Sequence, residues 1–336
     1  IMPSLVGSEM CIRDRVKEVD GSYLGSIEAI EKPEIQDGHI IVDVQFSSLN
    51  YKDALSASGP KTGVTRNYPF VPGIDAVGSV TESSSENFRK GDMVIITGYS
   101  MGMSVYGGFG EVVQVPAEWA VKLPEGLLPI EAMSYGTAGL TAAASIKKII
   151  DNGIDKNKPI LVSGATGGVG SVAVNILSKL GYEVHALTGK STQDEFLKEI
   201  GASAVIVRNE FMENPVKPLD KAIYGGAVDT VGGDILAKII SMVSPKCSIS
   251  ACGNVAGIGL NTTVFPFILR GVSLLGIDSA ESPIEFKESI WNLLSNEWKV
   301  NLKDQTKIIS LVDVGEEISK ILNGEQVGRI VIKHGE

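Results

Sequence analysis

The chain has 336 residues, long enough for two domains, and its 43% hydrophobic content and mean hydropathy of +0.16 supply the apolar side chains for sizeable cores. A net charge of −10 excludes a general nucleic-acid binder, which needs a basic face, and makes any anionic ligand depend on a local cluster of Lys and Arg. Three cysteines, Cys11, Cys247 and Cys252, have neither metal-ligand spacing nor the density of a disulfide scaffold, which points to a reducing cytoplasm.

Residues 1–15 (IMPSLVGSEMCIRDR) show no strand or helix period and no secretory signal, and the stretch resembles a translated sequencing adapter. We read it as a non-native or disordered extension, with native sequence resuming near Val16. Residues 16–115 predict short strands bounded by turn signals, the pattern of a compact β-rich barrel. Ile40 to Phe46 is a strand that enters a polar loop, Ser48-Leu49-Asn50-Tyr51-Lys52-Asp53. Further turns and strands follow at Pro72 to Val80, Gly91 to Ile96 and Gly107 to Val115. Helical spacing occupies 129–150, with Gly136 and Gly139 as weak points.

The next stretch organises the rest. Ile160 to Val162 is short, apolar and branched, as a strand covered on both faces should be. Ala165, Gly167 and Gly170 then fit G-x-G-x-x-G with alanine in the first place, and Val169, Val172, Ala173, Ile176, Leu177 and Leu180 recur at helical spacing. Strand, glycine turn and helix start together predict a dinucleotide site over 165–170, the helix N-terminus facing a pyrophosphate. The alternative is a glycine-rich turn that binds nothing. This run, 160–178, carries no charge and could be misread as a membrane span, but its glycines and polar residues exclude one. Strands at 160–162, about 183–187, 204–207, 227–231, 247–251 and 272–277 alternate with helices, which predicts an α/β fold with a parallel sheet. Helices at 284–298 and 314–322 and a strand at 329–333 close the chain.

Several motifs in this order carry a family resemblance: Ser48 to Asp53, Pro72-Gly73-Ile74-Asp75, Gly136-Thr137-Ala138-Gly139, Phe265 to Gly271 and Gly276-Ile277-Asp278-Ser279. From Val16 onward the chain resembles a zinc-free medium-chain dehydrogenase/reductase of the acryloyl-CoA reductase, quinone-oxidoreductase-like branch. The resemblance implies a GroES-like β-rich barrel over 16–130, a doubly wound Rossmann domain over 131–280 and a return to the substrate domain over 281–336. It implies a cytoplasmic, homodimeric enzyme that reduces acryloyl-CoA to propanoyl-CoA with NADPH, pairing through the edge strand 272–277. Zinc-containing relatives place a Cys where Asn50 or Tyr51 stands and Gly-His-Glu where Gly73-Ile74-Asp75 stands. This chain has neither, nor four clustered cysteines, and its three histidines lie on unrelated elements, so no metal is expected. Two other readings stay open: a quinone or enone reductase of the same superfamily, and a non-catalytic NADPH-binding protein.

NAD enzymes usually end the second Rossmann strand with an acid that grips the ribose 2′-hydroxyl. Here that strand ends in Thr188-Gly189-Lys190, a hydroxyl and a cation suited to a 2′-phosphate, although Lys190 also reads as a solvated loop lysine. The resemblance adds Arg208 to this pocket. The expected NADPH set is Tyr51, Ala165, Thr166, Gly167, Gly168, Val169, Gly170, Thr188, Gly189, Lys190, Arg208, Gly253 and Ile277. Hydride addition to an enoyl thioester needs a donor for the developing oxyanion and a proton for the α-carbon. Tyr51 is the candidate proton donor or positioner, with Asn50 orienting the loop or bonding the nicotinamide ribose. Asp53 reads equally as a helix cap. Arg66 and Arg270 are candidates for the anionic CoA tail, with Lys52 and Lys61 weaker. Their structural alternatives are an ion pair of Arg66 with Asp75 and bonds from Arg270 to loop carbonyls. Asp229 reads as a crevice residue or a turn cap, and Cys252 as a packed thiol.

Overall fold

The computed structural model describes residues 10–335. Two antiparallel strands, β1 (Met10–Val19) and β2 (Ser22–Glu31), form a hairpin closed by Asp20 and Gly21, both at positive φ, as a two-residue turn of this hand requires. Over 10–15 the expected extension is therefore not disordered. These residues lie in β1, with the Asp14 N–H on the Phe109 carbonyl at 2.8 Å and Val16 paired with Phe70. Cys11, Arg13 and Asp14 are buried, so polar residues occupy inward positions and hide the strand period. Residues 1–9 of the expected extension lie outside the described residues.

The next elements are β3 (His39–Leu49), α1 (Tyr51–Ala57), β4 (Asp75–Ser83), β5 (Met93–Thr97), β6 (Val112–Pro116), β7 (Ala120–Lys122) and the long α2 (Pro129–Asn152). The chain then alternates through β8 (Ile160–Ser163), α3 (Gly168–Lys179), β9 (Val184–Thr188), α4 (Asp194–Glu199), β10 (Ala204–Val207), α5 (Arg208–Phe211), β11 (Gly226–Asp229), α6 (Gly233–Met242), β12 (Ser248–Ala251), α7 (Phe265–Arg270) and β13 (Ser273–Gly276). Last come α8 (Ile284–Ser295), β14 (Thr306–Ser310), α9 (Val314–Leu322) and β15 (Arg329–Lys333).

The chain divides into two compact units. The first holds residues up to Thr137, Ala280–Glu288 and Leu302 onward; the second holds Ala138–Ser279 and Ser289–Asn301. In the first unit a 7-stranded sheet runs β14-β15-β3-β4-β5-β7, with β6 also on β3. β3 is its hub. Ile40, Val42 and Val44 alternate into one apolar cluster with Ala76, Val94 and Val113, while Leu49 joins a second with Ile330 and Ile332. Register shifts between Ile41 and Val42 and between Val44 and Phe46 bend β3 and let it serve both. β15 pairs antiparallel with the end of β3, Ile330 opposite Leu49.

In the second unit a 6-stranded sheet has the order β10-β9-β8-β11-β12-β13, every pair parallel. This is the doubly wound order in which the chain reverses direction across the sheet between β8 and β11, where such folds bind dinucleotides. All four residues of β8 are buried, which matches its unbroken apolar run. Among the described residues no helix is long and apolar enough to cross a membrane.

Candidate active site

In the first unit a buried polar set lies where β3 hands over to α1. Asn50 caps the helix in extended backbone, and its N–H donates to Asp53 Oδ2 at 2.8 Å, one half of a capping box. The polar loop read from sequence is thus a helix start, with Asn50 as its N-cap and Asp53 as the third helical residue that reaches back to it. Asp53 Oδ1 accepts the Ile74 N–H at 2.8 Å, and Asn50 Nδ2 donates to Asp75 Oδ2 at 2.8 Å and to Asp53 Oδ2 at 3.2 Å. Asp75, fully buried on β4, also receives the Ser48 hydroxyl, the Thr137 N–H at 2.8 Å and the Thr137 hydroxyl. Burial, then the charge of Asp75, pushes the Asp53 carboxyl up to about 7.

Arg329 completes the set, and sequence reasoning missed it. It is 2% exposed at the start of β15, and its guanidinium donates to the Ser134 carbonyl at 3.0 Å, Ser48 Oγ at 3.1 Å, Asn50 Oδ1 at 3.4 Å and the Leu49 carbonyl at 3.5 Å. Burial lowers its affinity for its proton, and Asp75 and Asp53 oppose that loss. Gly136 makes the room. Its φ of 51° and ψ of −157° break α2, and a Cβ there would stand 2.4 Å from Ser48 Oγ and 2.5 Å from Asp75 Oδ2. Tyr51, 44% exposed, opens α1 directly above this set in sequence.

In the second unit the glycine turn forms as a tight loop between β8 and α3. The positive φ belongs to Gly164, at 59°, one residue before the place that the motif assigns to Ala165. A Cβ on Gly164 would meet Thr230 Oγ1 at 2.3 Å, whereas the Ala165 N–H reaches the Leu187 carbonyl at 3.1 Å, so alanine is accommodated. Gly170 packs so close that a Cβ would meet the Gly164 carbonyl oxygen at 2.3 Å. The first turn of α3 carries Gly168, Val169 and Gly170, with Gly167 as its cap, which leaves N–H groups at a helix N-terminus for phosphate.

Thr166 and Thr188 hydroxyls stand 3.3 Å apart, and Thr188 Oγ1 accepts the Lys190 N–H at 3.0 Å, which ties the glycine turn to the end of β9. β10 lies beside β9, with Val207 opposite Thr188, so Arg208 emerges next to Gly189. A Cβ on Gly189 would stand 3.2 Å from Arg208 Cζ. The structure thus brings Thr188, Gly189, Lys190 and Arg208 to one sheet end. Gly253 follows β12 and Ile277 follows β13, the latter bonded to the Ala251 carbonyl at 3.1 Å. A Cβ on Gly253 would collide with the Thr230 carbonyl oxygen.

The remaining expected residues separate clearly. Arg270 is committed to the backbone, donating to the Ser241 carbonyl at 2.8 Å, the Val243 carbonyl at 3.1 Å and the Asp220 carbonyl; this corrects its expected place at the CoA tail in favour of the structural alternative. Arg66 is exposed, and the ion pair with Asp75 is not formed, because Asp75 is enclosed by the set described above. Lys61 is exposed and Lys52 half-buried. Asp229 caps the turn after β11, accepting the Ser163 hydroxyl at 2.7 Å and the Gly232 N–H at 2.8 Å. Burial pushes the Cys252 thiol up to about 12, which leaves it without nucleophilic character. Zinc does not fit this chemistry. Among the described residues no group of three His, Cys, Asp or Glu is placed to hold a metal ion. Asp53 and Asp75 spend their oxygens on N–H and O–H donors near a guanidinium, which would repel a cation.

Comparison with known proteins agrees with both units. The family model described as alcohol dehydrogenase GroES-like domain matches residues 36–125, and that described as zinc-binding dehydrogenase matches residues 168–296. The chain is 40% identical over 320 residues to the probable acrylyl-CoA reductase AcuI of Escherichia coli (strain K12), covering 95% of this chain and 98% of that protein. It is also 40% identical over 310 residues to the putative quinone oxidoreductase YhfP of Bacillus subtilis (strain 168), covering 91% of this chain and 94% of that protein. The crystal structure of B. subtilis YhfP with NAD bound superposes with a TM-score of 0.94 at 37% identity, over 97% of this chain and 100% of that one. That of E. coli K-12 YhdH with bound NADPH gives 0.91 at 39% identity, over 96% and 99%.

Proposed function

The chain belongs to the medium-chain dehydrogenase/reductase superfamily, in its quinone-oxidoreductase-like branch, and from that premise we propose that it reduces the C=C bond of acryloyl-CoA to propanoyl-CoA with NADPH and without zinc. The observation that carries the reading is 40% identity along 98% of a probable acrylyl-CoA reductase.

The residues of the second unit suit NADPH. The pyrophosphate would rest on the turn from Ala165 to Gly170, where side chains at Gly164 and Gly170 would fill the loop. Lys190 and Arg208 would hold the 2′-phosphate, and Gly253 and Ile277 would line the sheet end. When bound, NADPH supplies the hydride for the β-carbon. The chain's own part is then modest. Tyr51 offers an exposed hydroxyl that either donates to the developing thioester oxyanion or returns a proton to the α-carbon, and Asn50 holds it in place. No base is needed to strip a proton from the substrate. Arg66, exposed on the first unit, is the remaining candidate for the CoA tail.

A homodimer is part of this reading. β13 is an edge strand of the second sheet, and beside it in sequence Val255, Ile258, Leu260, Val264, Phe265, Ile268 and Leu269 are all exposed, Ile258 at 91%. So many exposed apolar side chains along one stretch next to an unpaired sheet edge fit a second copy of the chain. Three free thiols favour the cytoplasm. A second reading, reduction of quinones or small enones, is favoured by the similarity to YhfP. NADPH oxidation measured in parallel with acryloyl-CoA, crotonyl-CoA and a simple quinone separates them. The highest kcat/KM is expected with acryloyl-CoA; a higher value with the quinone overturns the assignment.

A further inference from the structure

The polar set beneath α1 does more than cap a helix. One guanidinium holds Asn50 both through the peptide bond that enters it and through its own side-chain oxygen. Arg329 reaches the Leu49 carbonyl, on the peptide bond that enters Asn50, and also Asn50 Oδ1. The side-chain amide has a single sensible orientation. Oδ1 faces the cation, and Nδ2 faces Asp75 Oδ2 and Asp53 Oδ2; turned over, the NH₂ would meet the guanidinium and the oxygen would meet two carboxylates. Charge therefore decides where Asn50 points, and Asn50 directly precedes Tyr51.

We propose that Arg329 is a positioning residue for the reduction, acting through Asn50 to fix the head of α1 and thereby the place of the Tyr51 hydroxyl. This rests on the reading of Tyr51 as the residue that meets the substrate. Three features support it. The guanidinium fork serves two carbonyls, a hydroxyl and an amide oxygen at once, a pattern that the point charge of a lysine does not reproduce. Ser48 joins the cation to Asp75, accepting from Arg329 at 3.1 Å while donating to the carboxylate, so the set is continuous from β15 through β3 to β4. Gly136, at a backbone conformation closed to other residues, keeps the space in which this happens; a Cβ would stand 2.9 Å from Arg329 Nη2. A buried ionic set is a poor source of stability compared with apolar packing, so its cost is better explained by the geometry that it imposes.

The test is a pair of double-mutant cycles, Arg329→Lys with Tyr51→Ala and Ser48→Ala with Tyr51→Ala. The readouts are kcat, KM for acryloyl-CoA and the NADPH dissociation constant from cofactor fluorescence. Arg329→Lys is expected to lower kcat about 10- to 100-fold, the scale of a small misplacement of a reacting group, and to leave the NADPH constant within about 2-fold. Ser48→Ala is expected to cost less, about 3- to 10-fold, in the same direction. In the Tyr51→Ala background each change is expected to cost less than about 2-fold, since no hydroxyl remains to be misplaced. Losses that persist at full size in that background overturn the positioning role while leaving the proposed function intact. If Arg329→Lys does not fold, the Ser48→Ala cycle decides by the same criterion. Wild-type protein that oxidises NADPH with none of acryloyl-CoA, crotonyl-CoA or quinone refutes the function itself, and this inference with it.

Discussion

Two side chains at one sheet end are expected to choose between NADPH and NADH. The fold alone does not choose, since B. subtilis YhfP, with a TM-score of 0.94, has NAD bound. Here Lys190 follows β9 and Arg208 follows β10, with the Arg208 guanidinium held against Gly189. Thr188 contributes less, because its hydroxyl already meets Thr166 and the Lys190 N–H. A hydrogen bond to a charged group is worth about 1.5–3 kcal/mol net. Arg208 is exposed, so solvent screening reduces that to about 1–1.5 kcal/mol, or roughly 10-fold in affinity. Arg208→Gln and Lys190→Gln are therefore each expected to raise KM for NADPH about 10-fold, and the double variant by up to about 100-fold, less if the two share one phosphate oxygen. KM for NADH is expected to stay within about 2-fold, because its 2′-hydroxyl carries no charge to lose. Steady-state kinetics with both cofactors at constant acceptor measure this directly. Rising ionic strength should weaken NADPH more than NADH in the wild type. Equal losses for the two cofactors, or a wild type that prefers NADH, would refute the reasoning.

Other expectations follow from particular residues. Burial pushes the Asp14 carboxyl from 3.8 up to about 6, so the folded state favours its protonated form; its contribution is fully present below about pH 4 and is lost as pH rises through about 6, a swing of about 3 kcal/mol. His334 works oppositely, since burial pushes it down to about 4 and its contribution is lost as pH falls from 6.5 through 4. Urea unfolding of wild type and Asp14→Asn at pH 4 and pH 7.5 isolates the first effect: the variant should gain about 3 kcal/mol relative to wild type at the higher pH, and parallel pH dependences would dismiss it. Gly136→Ala is expected to cost about 3 kcal/mol from backbone strain and the clash with Ser48, seen as a lowered Tm; an unchanged Tm contradicts the geometry. Tyr51→Phe with near-normal turnover would remove any acid role for that hydroxyl. Ile258→Asp is expected to convert a dimer to monomer by light scattering, and a wild type that is itself monomeric refutes the interface.

The second unit was legible in the sequence because its strands are buried on both faces and therefore apolar without interruption, and its one sharp turn needs glycine. Even there the motif was out by one position: a pattern match places the turn residue at 165, whereas backbone geometry puts the positive φ on Gly164. The first unit was harder. β1 has no legible period because the charged, adjacent Arg13 and Asp14 are both buried. α1 carries a legible signal in the Asn-x-x-Asp pair of Asn50 and Asp53, which forms a capping box. Arg329 was hidden by distance along the chain, since only the pairing of Ile330 with Leu49 brings it to Asn50. A charged residue opening an apolar strand, Arg329-Ile330-Val331-Ile332, was the available hint. Arg270 shows the converse. A basic residue beside a family motif suggested a ligand, and three backbone carbonyls had already taken it.

The place of Arg329 on β15 also bears on how the protein is made. Asp53 and Asp75 are translated early, but the guanidinium placed between Ser48 and Asn50 is added only after nearly all of the chain, including Ala138–Ser279, has been synthesised. The first unit is therefore assembled from distant pieces of chain, whereas most of the second is one continuous stretch. On the ribosome the later half has what it needs to fold first, and the earlier half waits with two carboxylates that lack their cation. A chain lacking β15 would keep every residue of the second unit while leaving the end of β3 without its partner strand and Ser48 and Asn50 without the Arg329 guanidinium.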